Sequence, residues 1–278
     1  MCHGAYVGIS AALAAELLPE GRKAKGVAMV FSGITLAIVL GLPIGNLLGN
    51  QFGWRATFAV MTGIGVIVLI ALIAFVPTGR GAPNDLRTET GWLRSEQVWL
   101  TLGVSVLGFG GVFGAFSYLA YTLSAVTRLG PTAIAGLLLV FGVGTFAGNL
   151  LGGSGVAGRL DDRFPVIVTA VVAMIMIGFG LTAAWPIAAT IGVFAMGAVG
   201  FSLTPATQAR ILTWADGAGF ASSANIAALN LGNWVGATLA GLALDGGHGA
   251  ASPLFVGAAM TLCATGLMLW TIRRRPER

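Results

Sequence analysis

Residues 164–209 have the sequence FPVIVTAVVAMIMIGFGLTAAWPIAATIGVFAMGAVGFSLTPATQA, a run of 46 residues without a charged side chain. An ionised side chain at the centre of a membrane helix costs about 2.5–3.5 kcal/mol, and one crossing needs about 20 apolar residues. The run is therefore long enough for two crossings. Trp185-Pro186 lies near its middle, and proline ends one helix and begins the next. The stretch predicts two membrane-spanning helices joined at Trp185-Pro186.

Six further uncharged runs divide the rest of the chain in the same way, and each has room for one span. They are residues 26–54, 56–79, 97–127, 129–158, 217–244 and 246–272. A ninth apolar stretch, residues 3–18, is shorter and stops at Pro19-Glu20-Gly21, which is typical of a helix end. The predicted fold class is all-α integral membrane, with eight full spans and the ninth, shorter one.

Composition excludes several other classes of protein. The 278 residues are 56% hydrophobic and 9% charged, which lies outside the range of soluble domains. The 43 glycines fit membrane helices that pack closely, because small residues let helices approach where lipid removes the hydrophobic force between them. A net charge of +5 does not indicate nucleic-acid binding, since the basic residues lie singly or in short groups between apolar runs.

Catalytic and metal-binding chemistry is not indicated either. Cys2 and Cys263 lie far apart, so no disulfide framework is expected. His3 and His248 have no neighbouring ligands or nucleophile, so no metal site is expected. The chain has no phosphate-binding Gly-x-x-x-x-Gly-Lys loop. We therefore expect no enzymatic activity and no cofactor.

Lysine and arginine residues predict the orientation of the chain in the membrane. Thirteen of them, Arg210 included, fall on one side, and only Arg55 and Arg128 fall on the other. Because basic loops stay in the cytoplasm, the thirteen-residue side and the C-terminus are expected to be cytoplasmic, in a multi-pass protein of the cell membrane. Nine spans then place Met1 outside, so we expect a further segment upstream. A secretory signal is the rival interpretation of residues 3–18, but no basic segment precedes that stretch.

A short repeat indicates how the spans are grouped. The pentapeptide Gly-Asn-Leu-Leu-Gly occurs at residues 45–49 and 148–152, with a looser echo at residues 231–236. The copies fall on the second, fifth and eighth spans, which is a spacing of three helices. Three-helix repeats within six-helix halves are typical of transporters whose substrate site lies between the halves. Chance repetition in a chain rich in glycine and leucine is the alternative.

Three stretches resemble the major facilitator superfamily, specifically the drug:proton antiporter branch with its arabinose-efflux-permease-like and chloramphenicol-efflux-like members. Residues 41–45 (GLPIG), Gly49 and residues 53–58 (GWRATF) are similar to the antiporter motif of the family's fifth helix and the turn after it. Residues 158–163 (GRLDDR) are similar to the charged loop between helices eight and nine. Residues 205–210 (PATQAR) and 225–236 are similar to the end of helix ten and the start of helix eleven. The resemblance covers nearly the whole chain and implies helices four to twelve of twelve, without the first three.

The same resemblance implies a division of the chain. Residues 1–76 would be the remainder of an N-terminal half, residues 77–97 a cytoplasmic linker, and residues 98–278 a six-helix C-terminal half. Residues 77–97 combine proline, glycine and mixed charge, as linkers do. Antiporters of this branch often carry their proton-coupling acid in the first helix, and none of the ten acidic residues here is predicted at mid-membrane.

Two groups of residues are predicted to take part in gating. The glycines and proline of the antiporter-like stretch are equally well explained as a kinked, tightly packed helix. The loop charges fit a charge-pair latch that breaks between two conformations, and a solvated turn is the alternative. The full predicted set is Gly41, Pro43, Gly45, Gly49, Arg55, Asp161, Asp162 and Arg163.

Polar and aromatic side chains within the spans are the predicted substrate-binding residues. A polar group in hydrocarbon faces a cavity or another helix, so interhelical hydrogen bonding is the alternative for each polar one. Aromatic faces suit amphipathic drug-like molecules, although tyrosines near the outer interface also form aromatic belts. The predicted set is Ser32, Phe113, Phe116, Tyr118, Asn149, Gln208, Asn225 and Asn230, and Phe113 is favoured over Tyr121 as a pocket residue.

The resemblance implies an efflux transporter that moves a small organic molecule by alternating access, with protons as the coupling ion. A drug, a sugar and an endogenous metabolite remain open as substrates, and the lipid bilayer is the other partner. The alternative function is a truncated, non-transporting membrane protein, or a helical scaffold that serves a partner subunit.

Overall fold

A computed structural model describes residues 2–16, 18–19, 22–75, 90–160, 162–215 and 219–273. We number its α-helices α1 to α12 in chain order. The first four are α1 Cys2–Glu16, α2 Lys23–Leu36, α3 Leu42–Phe52 and α4 Trp54–Phe75. The remaining eight are α5 Glu96–Ser117, α6 Leu119–Ala125, α7 Pro131–Gly152, α8 Gly155–Leu160, α9 Arg163–Thr182, α10 Pro186–Trp214, α11 Gly219–Asp245 and α12 Ser252–Arg273.

Seven helices of the described part are long and apolar enough to cross a membrane: α4, α5, α7, α9, α10, α11 and α12. The prediction of an all-α integral membrane protein is confirmed. The long uncharged run folds back where expected, since α9 ends at Thr182 and α10 begins at Pro186. Proline suits that first position because its missing N–H has no helical partner there.

The second predicted span is interrupted near its middle. Between α2 and α3 the chain forms a single π-helical turn, Ala37–Gly41. Pro43 lies two residues after the end of this turn and has no N–H to donate to the carbonyl of Val39, so the wider turn lies where the regular hydrogen-bond ladder is broken. Most of the predicted linker, residues 77–97, lies outside the described residues; its last part forms a short 3-10 turn, Trp92–Arg94, with Trp92 buried.

We call α5 to α12 the C-terminal bundle. Within it, α5 packs against α11 and α12, α7 packs against α10, and α9 packs against α10 and α12. Its largest fully buried side chains include Phe141, Met176 and Met196. Glycine allows the closest approaches, because a Cβ atom on Gly110 of α5 or Gly236 of α11 would overlap the facing backbone. The expected role of glycine in helix packing is confirmed at these crossings.

The N-terminal helices meet the bundle through α1 and α2. Helix α1 packs against α11, and α2 packs against α7 and α10. Helix α4 differs from them: it packs against α3, and none of its most apolar stretch is buried. A cavity remains where α1 and α2 face the bundle.

Candidate functional site

The cavity between the N-terminal helices and the C-terminal bundle has a volume of about 200 Å³. Eleven of the described residues line it; eight are apolar, three are neutral and polar, and none of the eleven is charged. Helices α1 and α2 contribute three of them, and α5, α10 and α11 contribute the rest. The lining residues are Val7, Phe31, Ile34, Phe109, Phe113, Phe201, Thr204, Ile226, Leu229, Asn230 and Asn233.

Phenylalanine rings from α5 and α10 form one wall. Phe109 and Phe113 lie one turn apart on α5 and stack with ring centroids 4.2 Å apart. Phe201 of α10 lies 6.3 Å from Phe109 and 6.2 Å from Phe113. The sequence predicted Phe113 but not Phe109 or Phe201. The four-residue spacing between Phe109 and Phe113 was a signal that Phe109 lies on the same face of α5.

The other two predicted aromatic residues lie outside this lining. Phe116 stacks on the buried Phe141 of α7 at 4.3 Å and contacts Phe113 from behind at 5.8 Å. Tyr118, at the end of α5, points its hydroxyl at the backbone of Gly241 on α11. Substrate contact by either residue stays a prediction, and Phe116 is placed to support the wall.

Three polar residues line the cavity together with the phenylalanine wall. Thr204 of α10 is 1% exposed, and its hydroxyl has no hydrogen-bond partner within the described part of the chain. Asn230 and Asn233 lie on one face of α11, and the Asn230 side-chain amide donates to the carbonyl of Ile226 at 2.8 Å. Asn230 was predicted; Thr204 and Asn233 were missed, because hydroxyls and amides are common at helix contacts and sequence does not give their facing.

Two predicted substrate residues, Gln208 and Asn225, belong to a buried chain of neutral hydrogen bonds. The Ser105 hydroxyl donates to the Asn225 side-chain carbonyl at 2.7 Å, and the Asn225 amide donates to Gln208 Oε1 at 2.5 Å. Gln208 in turn donates to the hydroxyl of Ser222, which donates to the carbonyl of Gly8 at 2.6 Å. The chain joins α5, α10 and α11 to α1, and interhelical hydrogen bonding explains both residues without a ligand.

The remaining two, Ser32 and Asn149, meet each other where α2 crosses α7. The Asn149 amide donates to the Ala28 carbonyl at 2.8 Å and to the Ser32 hydroxyl at 2.9 Å. Asn149 is fully buried, and its Oδ1 has no partner among the described residues. We call this contact the α2–α7 seam. It links the N-terminal helices to the bundle without any charged group.

Charged groups are concentrated instead in what we call the Arg210 cluster. Arg210 of α10 forms a buried ion pair with Asp162, which precedes α9. The Arg210 guanidinium also donates to Gln97 Oε1 at 2.9 Å and to the Thr101 hydroxyl at 3.0 Å, both on α5. Gln97 reaches the carbonyl of Thr271 on α12 at 3.5 Å. The cluster therefore joins four helices of the bundle.

This cluster corrects the predicted position of Arg210 and identifies the partner of Asp162. Arg210 was counted among the loop charges, but it is only 8% exposed and lies inside α10, because a carboxylate and two polar side chains stabilise it there. Asp162 has a charged partner, as the latch hypothesis requires, but that partner lies within the bundle. Arg163 is exposed at the start of α9, and Asp161 lies outside the described residues.

The antiporter-like stretch packs against α4. Thr57 of α4 donates to the carbonyl of Gly45 at 3.3 Å, and a Cβ atom on Gly49 would lie 3.6 Å from the Thr57 hydroxyl. Gly41 ends the π-helical turn and has open space beside it. The Arg55 guanidinium lies 4.5 Å from the centre of the Trp54 ring. The side chain of Pro43 lies outside the described residues, and gating by this set stays a prediction.

Comparison with known proteins decides the family. The family profile described as Major Facilitator Superfamily matches residues 1–182. The chain belongs to the major facilitator superfamily. It is 33% identical over 281 residues to the inner membrane transport protein YdhP of Escherichia coli K12, covering 99% of this chain and 71% of that protein. It is 32% identical to a chloramphenicol resistance protein of Streptomyces lividans, covering 95% and 69%.

The fold of this superfamily member also matches a solved transporter structure. The crystal structure of the Escherichia coli fucose:proton symporter FucP aligns with a TM-score of 0.72 at 14% identity, covering 94% of this chain and 72% of that one. The predicted resemblance and the major facilitator fold are confirmed. The chain is a multi-pass membrane protein of a transporter family.

Proposed function

We propose that this protein exports a small organic molecule from the cell by alternating access, in exchange for protons. The position of the cavity is the observation that carries the proposal. It lies where α1 and α2 meet α5, α10 and α11, which is the place where transporters built from two helical units bind substrate. The export direction is supported by the similarity to a protein named for chloramphenicol resistance.

Alternating access needs two units that move against each other around a binding site. In this proposal the units correspond to residues 1–76 and 98–278, joined by residues 77–97. The contacts between them favour movement, because the α2–α7 seam and the Ser222–Gly8 bond use neutral groups only. The orientation with a cytoplasmic C-terminus, in the cell membrane, belongs to the same proposal and rests on the arginine and lysine count.

Proton exchange is supported by the antiporter-like stretch rather than by an identified acid. The acidic residues of the described part are Glu16, Glu96, Asp162 and Asp245, and all lie at helix ends. Asp162 is buried but paired with Arg210. A carboxylate that exchanges protons in mid-membrane is therefore absent from the described residues.

Efflux from loaded cells tests the proposal. Cells that express the chain, or a version extended upstream in its reading frame, are loaded with chloramphenicol or arabinose and compared with empty-vector cells, with and without a protonophore. We expect faster loss of at least one compound, abolished by the protonophore. Phe113→Ala should slow that loss severalfold, because it removes part of the cavity wall. Phe194→Ala on the outer face of α10 is the matched control.

The result that contradicts export is equal retention in all cells although the protein is inserted in the membrane. A scaffold or partner subunit is then the better function. One observation favours that second candidate: α4 exposes its whole apolar stretch, which other helices or lipid must cover. A scaffold function predicts that another membrane protein co-purifies with the chain and that Phe58→Lys on α4 abolishes the association.

A further inference from the structure

We infer that the cavity accepts an uncharged molecule with a compact aromatic body and a single hydrogen-bonding edge. The inference rests on the proposed function in that the cavity is taken as the transport site. Of the three substrate classes left open by the sequence, it disfavours a sugar, and it favours uncharged aromatic compounds among drugs and metabolites.

Charge on the ligand is disfavoured because none of the described residues that line the cavity could neutralise it. None of the eleven lining residues is ionisable, and the buried pair of Asp162 with Arg210 lies outside the lining. Taking an isolated charge out of water costs several kcal/mol unless a partner stabilises it. Phenylalanine faces attract cations, but Phe109 and Phe113 stack with their ring planes 23° apart, which leaves at most one face of each ring free for a cation.

The shape and surface of the cavity favour an aromatic body of limited size. A volume of about 200 Å³ is below the roughly 300–1,000 Å³ of pockets that hold drug-sized molecules. Phe109, Phe113 and Phe201 present both faces and edges, and aromatic pairs in such arrangements gain about 0.5–1.5 kcal/mol beyond their buried area. A sugar would lose the hydration of several hydroxyls against this wall and regain few hydrogen bonds.

The hydrogen-bonding edge faces Thr204. Thr204 lines the cavity, and its buried hydroxyl lacks a partner in the described part of the chain, although a threonine inside a helix ordinarily bonds to its own backbone. Pro205 follows it and has no N–H for the carbonyl of Phe201, another lining residue. Leaving a buried polar group unpaired is unfavourable, so a ligand that supplies the missing partner gains affinity.

Thr207 provides a matched control one turn further along α10. It is also 1% exposed, but its hydroxyl donates to the carbonyl of Thr204 at 3.2 Å and does not line the cavity. Thr204→Val removes an unpaired hydroxyl and should leave the free protein equally or more stable, whereas Thr207→Val removes a satisfied one. Both substitutions make the same change in shape. Only Thr204→Val removes a hydroxyl that the ligand is expected to bind.

Four probes with closely related structures test the inference. Their binding to the purified chain in lipid nanodiscs is measured by ligand-observed NMR titration. Benzamide is uncharged and aromatic, benzamidine carries a positive charge, benzoate carries a negative charge, and cyclohexanecarboxamide keeps the amide without the aromatic ring. We expect benzamide to bind about tenfold more tightly than either charged analogue and severalfold more tightly than the cyclohexane compound. Thr204→Val should weaken benzamide binding about tenfold, and Thr207→Val should leave it unchanged.

Equal or tighter binding of a charged analogue would overturn the inference. So would benzamide affinity that Thr204→Val leaves intact, or the absence of binding by any of the four. The failure of the proposed function gives a different result: the four probes bind with the expected ranking of affinities, and the cells export nothing. Export that persists unchanged in Thr204→Val cells sinks the inference and leaves transport standing.

Discussion

The Arg210 cluster and the α2–α7 seam hold helices together with very different chemistry. In the cluster, a buried ion pair and two charge-assisted hydrogen bonds join helices of the C-terminal bundle. In the seam, one amide donates to a carbonyl and a hydroxyl across the boundary between the bundle and α2. Breaking a buried ion pair costs about 3–5 kcal/mol, whereas hydrogen bonds between membrane helices average about 0.6 kcal/mol.

Under the proposed alternating access, this difference predicts which part of the molecule stays rigid and which part moves. In the proposed transport cycle, interactions within the bundle would be too strong to break at each turnover, so the bundle is expected to move as one body. Interactions across the seam are weak enough to exchange at little cost. The latch hypothesis for Asp162 changes accordingly: its pair with Arg210 would keep the bundle intact, and the contacts that break would be those of Asn149 and Ser222.

The largest expected effect is the loss of the ion pair. Arg210→Met leaves Asp162 buried without its partner and should lower the free energy of unfolding by about 3–5 kcal/mol. Equilibrium unfolding in mixed detergent micelles measures the change. The double variant Asp162→Asn/Arg210→Met should recover most of it, since two neutral groups need no partner charge. Arg163→Met, an exposed neighbour, is the control, and an equal loss there would mean that burial of the pair is unimportant.

Helix packing within the bundle should show the next largest effect. A Cβ atom on Gly148 of α7 would overlap the backbone of Ala198 on α10, whereas one on Gly45 of α3 would meet only Thr57 at 3.7 Å. We expect Gly148→Val to destabilise the protein by about 1–3 kcal/mol and Gly45→Val by well under half of that. The same unfolding assay compares them. Equal effects would show that both copies of the repeated pentapeptide pack equally tightly.

The seam should give the smallest change in stability and a visible change in conformation. Asn149→Ala removes both seam hydrogen bonds and should cost about 1 kcal/mol, which corresponds to about a fivefold shift between two conformations. Ser32→Ala removes only one partner and should have about half the effect. A double-mutant cycle of the two measures their coupling, and a coupling as large as that of the ion pair would contradict the comparison.

Sequence alone predicted the helices well because their cause is local. Charges mark the ends of spans, and Trp185-Pro186 marks a fold-back, so the boundaries of α9 and α10 follow from residue type and length. The π-helical turn before Pro43 was not predicted, although proline gave a signal for some break in that helix. The linker assignment lies mostly outside the described residues.

The site was harder to predict because it depends on the direction in which each side chain points from its helix. Phe113 and Asn230 line the cavity as proposed, but Gln208, Asn225 and Asn149 look the same in sequence and are satisfied by other helices. Thr204 was missed because nothing in its own neighbourhood shows that its hydroxyl lacks a partner. Arg210 was misplaced because its partner, Asp162, is 48 residues away in sequence and adjacent only in the fold.

Distances between spin labels test most directly whether the C-terminal bundle moves as a rigid body. With Cys2 and Cys263 replaced by alanine, one label pair at Arg273 and Thr213 reports within the bundle, and a second at Arg22 and Thr213 reports across to α2; all three positions are exposed. We predict a single distance for the first pair that is the same in both proteins. For the second pair we predict two distances, and we expect their relative populations to change in Asn149→Ala. A shift of the first pair as large as that of the second, or one fixed distance for the second in both proteins, would contradict the account.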